Sequence, residues 1–180
     1  MDNEKVYIDP TAIVHPTAVI GGGSMIWNWT KVRERAHIGT ECNIGQNVYI
    51  DVDTLIGDRC KIQNGVSVYH GVTIGNDVFV GPNATFTNDM VPRAHSTNWK
   101  ITPTIVEDGA SIGANATVIC GITLGRHCLI AAGAVVTKDV PPHALVMGCP
   151  ARVVDYVTVT GNRLNVDPDE GVADASLLSS

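Results

Sequence analysis

From Ile8 onward an apolar residue recurs at every sixth position: Ile8, Val14, Ile20, Ile26, Val32, Ile38, Ile44, Ile50, Ile56, Ile62, Val68, Ile74, Val80 and Phe86. Four residues further into each hexad comes a small or β-branched side chain, as at Ala12, Ala18, Ser24, Thr30, Ala36, Cys42 and Cys60. A period of six is neither the 3.6 of a helix nor the alternation of a hairpin strand. It predicts a solenoid in which each hexad makes one short strand and one corner, and three hexads close a triangular coil. The Ile or Val fills the interior, the small residue lies inward beside the corner, and glycines such as Gly21, Gly39, Gly45, Gly57, Gly75 and Gly81 are expected to supply the tight turns. Coils stacked as parallel strands lie about 4.8 Å apart, so residues three hexads apart sit above one another.

The register fails after Phe86 and returns at Val106, Ile112, Val118, Leu124, Ile130 and Val136, until Pro141-Pro142 ends it. The two runs predict six to seven coils. Between them, at about 89–104, lies a stretch of Pro, Asn, Thr and charged residues, and so long a loop in a tightly repeated chain points to function. The division expected is a β-helix over 1–143 with this projecting loop, then a C-terminal cap and acidic tail over 144–180. Beyond Leu164 the tail is aperiodic and expected to be mobile or loosely docked.

Composition narrows the partners. Hydrophobic residues make up 44% and aromatics only 5%, as suits a core of stacked small and β-branched side chains. The formal charge of -6 excludes the basic stripe of a nucleic-acid surface, which leaves a small molecule as the partner. The polar start lacks a signal-peptide core and no apolar run nears the ~18 residues of a membrane span, so the expected location is cytoplasmic, with no membrane partner. Cys42, Cys60, Cys120, Cys128 and Cys149 contain no C-x-x-C pair and are read as buried free thiols.

The candidate chemistry gathers at the break. His70 and Asn88 are both the third residue of their hexads, counted from the inward Ile or Val, and lie three hexads apart. They should project from one corner of adjacent coils, with Asp89 following at the loop root. A neutral imidazole there can take the proton an amine loses on becoming an amide, while Asn88 orients the amine through its carbonyl oxygen. The competing reading leaves both as solvated corner residues. Arg33 and Glu34 begin a column that runs through Asp51, Val52 and Asp53 towards His70.

Several segments carry a resemblance: I-W-N-W-T-K-V-R-E from Ile26, K-I-Q-N-G-V-S-V-Y-H-G-V from Lys61, F-T-N-D with Pro92-Arg93, G-A-S-I-G-A-N-A-T from Gly109, A-G-A-V-V-T-K-D-V-P from Ala132 and G-C-P-A-R from Gly148. Together they resemble the bacterial acetyltransferases that acetylate 3-amino sugars linked to a nucleotide, over about Ile8 to Arg152. The resemblance implies an all-β, left-handed parallel β-helix of hexapeptide repeats, although parallel crossovers are normally right-handed. It also implies a homotrimer with sites between subunits, acetyl-CoA as cosubstrate, a dTDP- or UDP-linked amino sugar as acceptor, and no metal.

By the same resemblance Gly113, Ala114, Ala131 and Ala132 would lie against the pantetheine, their absent side chains allowing close approach, and Lys138 and Arg152 would meet the cofactor's phosphates. Arg33 would bind pyrophosphate, with Arg93 of the loop as a second candidate. Asn28 departs from the histidine of that run in relatives. Other classes compete. An O-acetyltransferase of a small sugar or serine shares the fold; a non-catalytic scaffold needs no F-T-N-D loop; a carbonic-anhydrase-like enzyme needs converging histidines, and the six here include no H-x-x-x-x-H pair.

Overall fold

A computed structural model describes residues 5–172 and 175–179 of the chain. Within each hexad two residues form a strand, the first pointing out and the second, the repeating Ile or Val, pointing in. Ile26, Ile38, Ile44, Ile50, Ile62 and Ile130 are fully buried on the axis. Removing one from water is worth about 1.5–3 kcal/mol, repeated on each side of every coil from Ile26 onward. The strands form three sheets, one on each side of the prism. The first face runs from Tyr7–Ile8 to Ala144–Gly148, the second from Ile13–Val14 to Val135–Val136 and the third from Val19–Ile20 to Thr123–Leu124. Pairing is parallel and in register at a spacing of 18, as in Lys61↔Phe79 and Ile62↔Val80. The architecture is all-β and that of the left-handed parallel β-helix; its described helical content is the 3₁₀ segment Ala175–Ser179. Six coils have strands on all three sides, and Val140 closes a seventh by bridging to Leu124. Among the described residues no helix is long and apolar enough to cross a membrane.

The corners correct one expectation. Gly21, Gly39, Gly45, Gly57, Gly75 and Gly81 are not the left-handed turn residues. That conformation falls two positions later, at Trp29, Arg35, Glu41, Asn47, Asp53, Arg59, Asp77 and Asn83, with φ of 55–58°. Side chains tolerate it because the amides are bonded to the coil beneath, as Arg59 N–H to the Thr40 carbonyl at 2.8 Å and Asn47 N–H to Asn28 at 3.0 Å. The second-position glycines answer a different need. A Cβ on Gly57 would stand 2.6 Å from the backbone carbon of Gly75 in the coil above. At the inward fifth position Ser24, Cys42 and Cys60 do the same work, their Oγ or Sγ donating to the carbonyls of Gly39, Gly57 and Gly75 at 2.8, 3.1 and 3.0 Å.

Two expectations for the C-terminus change as well. Ala144–Gly148 does not leave the helix at once: it pairs in parallel with Leu129–Ile130 as a further rung of the first face, and only then does Ala151–Tyr156 turn back antiparallel. The start of the tail, at Asn165 and Val166, is also docked rather than loose. Asp155, 1% exposed, accepts from Arg163 Nε at 2.8 Å and from the amides of Tyr156, Val166 and Asn165 at 2.8, 3.2 and 3.3 Å. Burial by itself raises its pKa, but these bonds outweigh it and hold the carboxyl below its ordinary value.

Two outcomes test these packing assignments. Gly57→Ala should destabilise by about 1–3 kcal/mol, the usual cost of overpacking, and lower the melting temperature. Gly133→Ala, with φ +71° but nothing within 4 Å of the new Cβ, should cost less, about the 1–2 kcal/mol of a left-handed backbone. For the tail, a depressed carboxylate pKa means docking is intact above the ordinary carboxylate range and lost as pH falls through the folded-state value. Asp155→Asn should produce that release at neutral pH, read as faster amide exchange at Asn165 and Val166 while the β-helix amides stay protected.

Candidate active site

The edge between the second and third faces gathers the candidate residues. Successive third positions along it are Glu34, Val52, His70, Asn88, Cys120 and Lys138, and the loop leaves it after Thr85–Phe86, returning at Thr104–Val106. His70 and Asn88 therefore share one corner, as their spacing predicts: Asn88 Nδ2 donates to the His70 carbonyl at 3.2 Å. That bond leaves Asn88 Oδ1 as the amide's available acceptor.

The His70 ring is fixed from below. Its Nδ1 lies 2.8 Å from the Val52 carbonyl oxygen, which can only accept, so in the neutral imidazole Nδ1 carries the proton and Nε2 holds the lone pair. The side chain keeps 32% exposure. A carboxylate also stands near, with Asp53 Oδ2 at 3.8 Å from Nδ1. Arg35 clamps Asp53 through two bonds of 2.6 and 2.9 Å and holds its carboxyl below the ordinary value.

The loop is a hairpin with a defined seat. Asp89 bridges antiparallel to Ile101, Thr102 N–H donates to the Asn88 carbonyl at 2.9 Å, and Asp89 Oδ1 accepts from Val91 N–H at 2.9 Å. It borders an open cavity of about 520 Å³, lined in part by Asp89, Arg93, His95, Trp99 and Lys100. Two glycines at left-handed fourth positions make room for its base. A Cβ on Gly71 would meet Ile101 Cγ2 and one on Gly121 would lie 2.9 Å from Thr102 Cγ2. Both glycines stand on this edge, directly below and above the loop rung. Neither was singled out by sequence, though the signal was present in the glycines replacing the usual side chain at this position.

Arg33 and Glu34 lie on the same edge two coils below His70, about 9.6 Å at the parallel-strand spacing. Arg33 is already engaged, by Glu34 at 2.6 Å, the Tyr49 hydroxyl at 3.1 Å and Asp51 at 3.5 Å. Its hydrogen bond holds the Glu34 carboxyl down to about 2. The guanidinium still borders an open cavity of about 480 Å³ with His15 and Lys31. Arg93, in the loop, bonds the Pro92 carbonyl at 2.7 Å. Lys138 and Arg152 line one cleft of about 140 Å³ beside the terminal hairpin.

Gly113, Ala114, Ala131 and Ala132 stack on each other at a different edge, between the first and second faces. The structure does not bring them to His70 within one chain: a face of the prism intervenes, at most about 20 Å for one hexad at ~3.3 Å per residue. For Gly113 the reason for small size is internal, because its Cβ would lie 2.5 Å from Ala132 N in the coil above. The thiols are buried as expected except Cys149, which is exposed in the Cys149-Pro150 turn. Burial pushes the Cys128 thiol up to about 12, in keeping with an inert core residue.

Comparison with known proteins agrees with this architecture. The family model described as bacterial transferase hexapeptide (six repeats) matches residues 53–88, and that described as the hexapeptide repeat of succinyl-transferase matches 35–70 and 103–138. These matches span half of the chain, which belongs to the hexapeptide-repeat family. The bifunctional protein GlmU of Bacillus velezensis is 39% identical over 85 residues, 47% of this chain and 18% of that protein. The mitochondrial gamma carbonic anhydrase 2 of Arabidopsis thaliana is 31% identical over 107 residues, 52% of this chain and 38% of that protein. The chain thus spans well under two thirds of either relative. Among solved structures, a variant of GDP-perosamine N-acetyltransferase from Caulobacter crescentus, in complex with CoA and GDP-perosamine, shares the fold with a TM-score of 0.58. It is 24% identical, over 84% of this chain and 57% of that one.

The seating of the loop is directly testable. Gly71→Ala places a side chain at φ +94° and against Ile101, so the hairpin base should lift. Amide exchange at Thr102 should accelerate by at least ten-fold, with the exchange of the lower coils unchanged.

Proposed function

We propose that this protein is an acyltransferase that moves the acetyl group of acetyl-CoA to the 3-amino group of a dTDP- or UDP-linked amino sugar. The observation that carries the reading is the His70 imidazole, held through Nδ1 with Nε2 outward, beside an Asn88 amide whose oxygen is available, at the root of a loop bordering an open cavity. In this reading the sugar amine donates one hydrogen bond to Asn88 Oδ1 and its lone pair attacks the thioester carbonyl. The proton it sheds goes to His70 Nε2 as the C–N bond forms, and the C–S bond breaks to release the CoA thiolate.

Arg33, with His15 and Lys31 around the lower cavity, supplies positive charge for the nucleotide's phosphates, and Arg93 a second site from the loop. Lys138 and Arg152, across one cleft, are assigned to the phosphates of CoA. Support for the ligand classes comes from the Caulobacter neighbour with CoA and GDP-perosamine. Because the small-residue edge and the His70 edge flank opposite sides of the second face, the proposed assembly is a homotrimer that pairs one edge of each subunit with the other edge of the next. The proposed setting is cytoplasmic, in bacterial surface-glycan synthesis.

The test is a panel of nucleotide-linked 3-amino and 4-amino sugars, with dTDP, UDP and GDP carriers, incubated with acetyl-CoA while thiol release is followed. A 3-amino sugar should be turned over; release with none of the panel, or equally with free sugar alcohols, would overturn the proposal. With the best acceptor, His70→Gln should lower kcat by about 10²- to 10⁴-fold with KM little changed, and Asn88→Ala should lower it too.

A further inference from the structure

The geometry points to Asp51 as the positioning residue that releases both His70 and Asn88 from structural duty. At four third positions on the other two edges the side chain has a structural task, which is to cap the third-position N–H of the coil beneath. Asp58 Oδ1 accepts from Thr40 N–H at 2.8 Å, Asn64 from Gln46 at 2.9 Å, Asn76 from Asp58 at 2.8 Å and Asp108 from Asn76 at 2.8 Å. By that rule the His70 ring should accept from Val52 N–H, and Asn88 Oδ1 from His70 N–H.

Neither does so, and Asp51 takes both bonds. Its Oδ1 accepts from Val52 N–H at 2.8 Å and its Oδ2 from His70 N–H at 3.2 Å. The carboxylate is 15% exposed and further held by the Tyr49 hydroxyl at 3.0 Å and Arg33 Nη1 at 3.5 Å. With Val52 N–H satisfied, the His70 ring turns to donate Nδ1–H to the Val52 carbonyl, and Asn88 turns its amide nitrogen down to the His70 carbonyl. One carboxylate thereby sets the tautomer that leaves Nε2 as an acceptor and sets the amide orientation that leaves Oδ1 outward. A carboxylate is required because only it offers acceptors on both sides; an amide in its place would point N–H at one of the two donors. A donor left unpaired beside the ring is costly enough to recruit the ring in the carboxylate's stead.

The consequence for turnover rests on the acyltransferase reading, whereas the tautomer does not, and the experiment reads both. Nitrogen-15 NMR of the full-length protein with labelled histidine, His70 assigned by its loss in His70→Gln, should show the Nδ1–H tautomer in the neutral ring. In Asp51→Ala both N–H groups lose their acceptor, the unpaired Val52 N–H should draw Nδ1 in as acceptor and move the spectrum towards Nε2–H, and kcat should fall about 10²-fold with KM little affected. Asp58→Ala, which removes a cap at another edge, should lower the melting temperature and leave the His70 spectrum unchanged. An Nε2–H tautomer in the unsubstituted protein would overturn the inference whether or not the variant folds, as would an unaltered tautomer in folded Asp51→Ala. The expected tautomers with no acetyl transfer to any sugar would uphold Asp51 as positioning residue and count against the proposed reaction alone.

Discussion

Coil-to-coil contact governs this molecule. The hydrogen bonds that hold one coil on the next, such as Gly57 N–H to the Ile74 carbonyl at 2.8 Å, set a separation too short for an ordinary side chain to turn inward over the rung above. The three edges meet that constraint differently. Along the edge between the third and first faces the second position is Gly21, Gly39, Gly57, Gly75, Glu107 and Gly125, and each glycine has backbone 2.5–2.9 Å from where its Cβ would be. Along the edge between the second and third faces the same position holds His15, Arg33, Asp51, Tyr69 and Thr87, side chains that project outward. One edge is lined by glycine in all but one of its coils, and another is left to carry chemistry.

That division explains why the polar network can exist where it does. Arg33, Tyr49 and Asp51 form connected bonds across successive rungs, Arg35 and Asp53 form a second pair beside them, and all sit in or next to strands that are themselves locked to their neighbours. Stacking brings charges of opposite sign into a vertical alternation, so the electrostatics of the edge follow from the repeat length. The loop then covers the upper part of this edge and buries Cys120 beneath it, where the residue's amide is bonded to Thr87 Oγ1 at 2.9 Å.

The sequence alone made much of this legible because a strict period converts position into place. Ile62 and Val80, or His70 and Asn88, need no further information to be stacked: eighteen residues is one turn, and the observed pairing Lys61↔Phe79 follows directly. What escaped was whatever depends on direction within a rung. The role of Gly57 lies in the path of a Cβ vector and not in φ; the His70 tautomer lies in which atom of Asp51 meets which amide; and the docking of the tail lies in the convergence of Arg163, Asn165 and Val166 on Asp155. Reading the glycines edge by edge, every third hexad, would have separated the glycine-lined edge from the open one.

The rigid vertical pitch has a further implication. Since the distance between any two groups on an edge is a whole number of rungs, the gap from the His70 imidazole to Arg33 or to Lys138 changes only in steps of about 4.8 Å, by insertion or loss of a complete coil. A solenoid of this kind behaves as a graduated scale: adding eighteen residues lengthens the reach by one division without rotating any side chain out of line. Relatives that handle longer or shorter molecules can therefore arise by duplication of a coil, a change that preserves every local contact while altering only the measure.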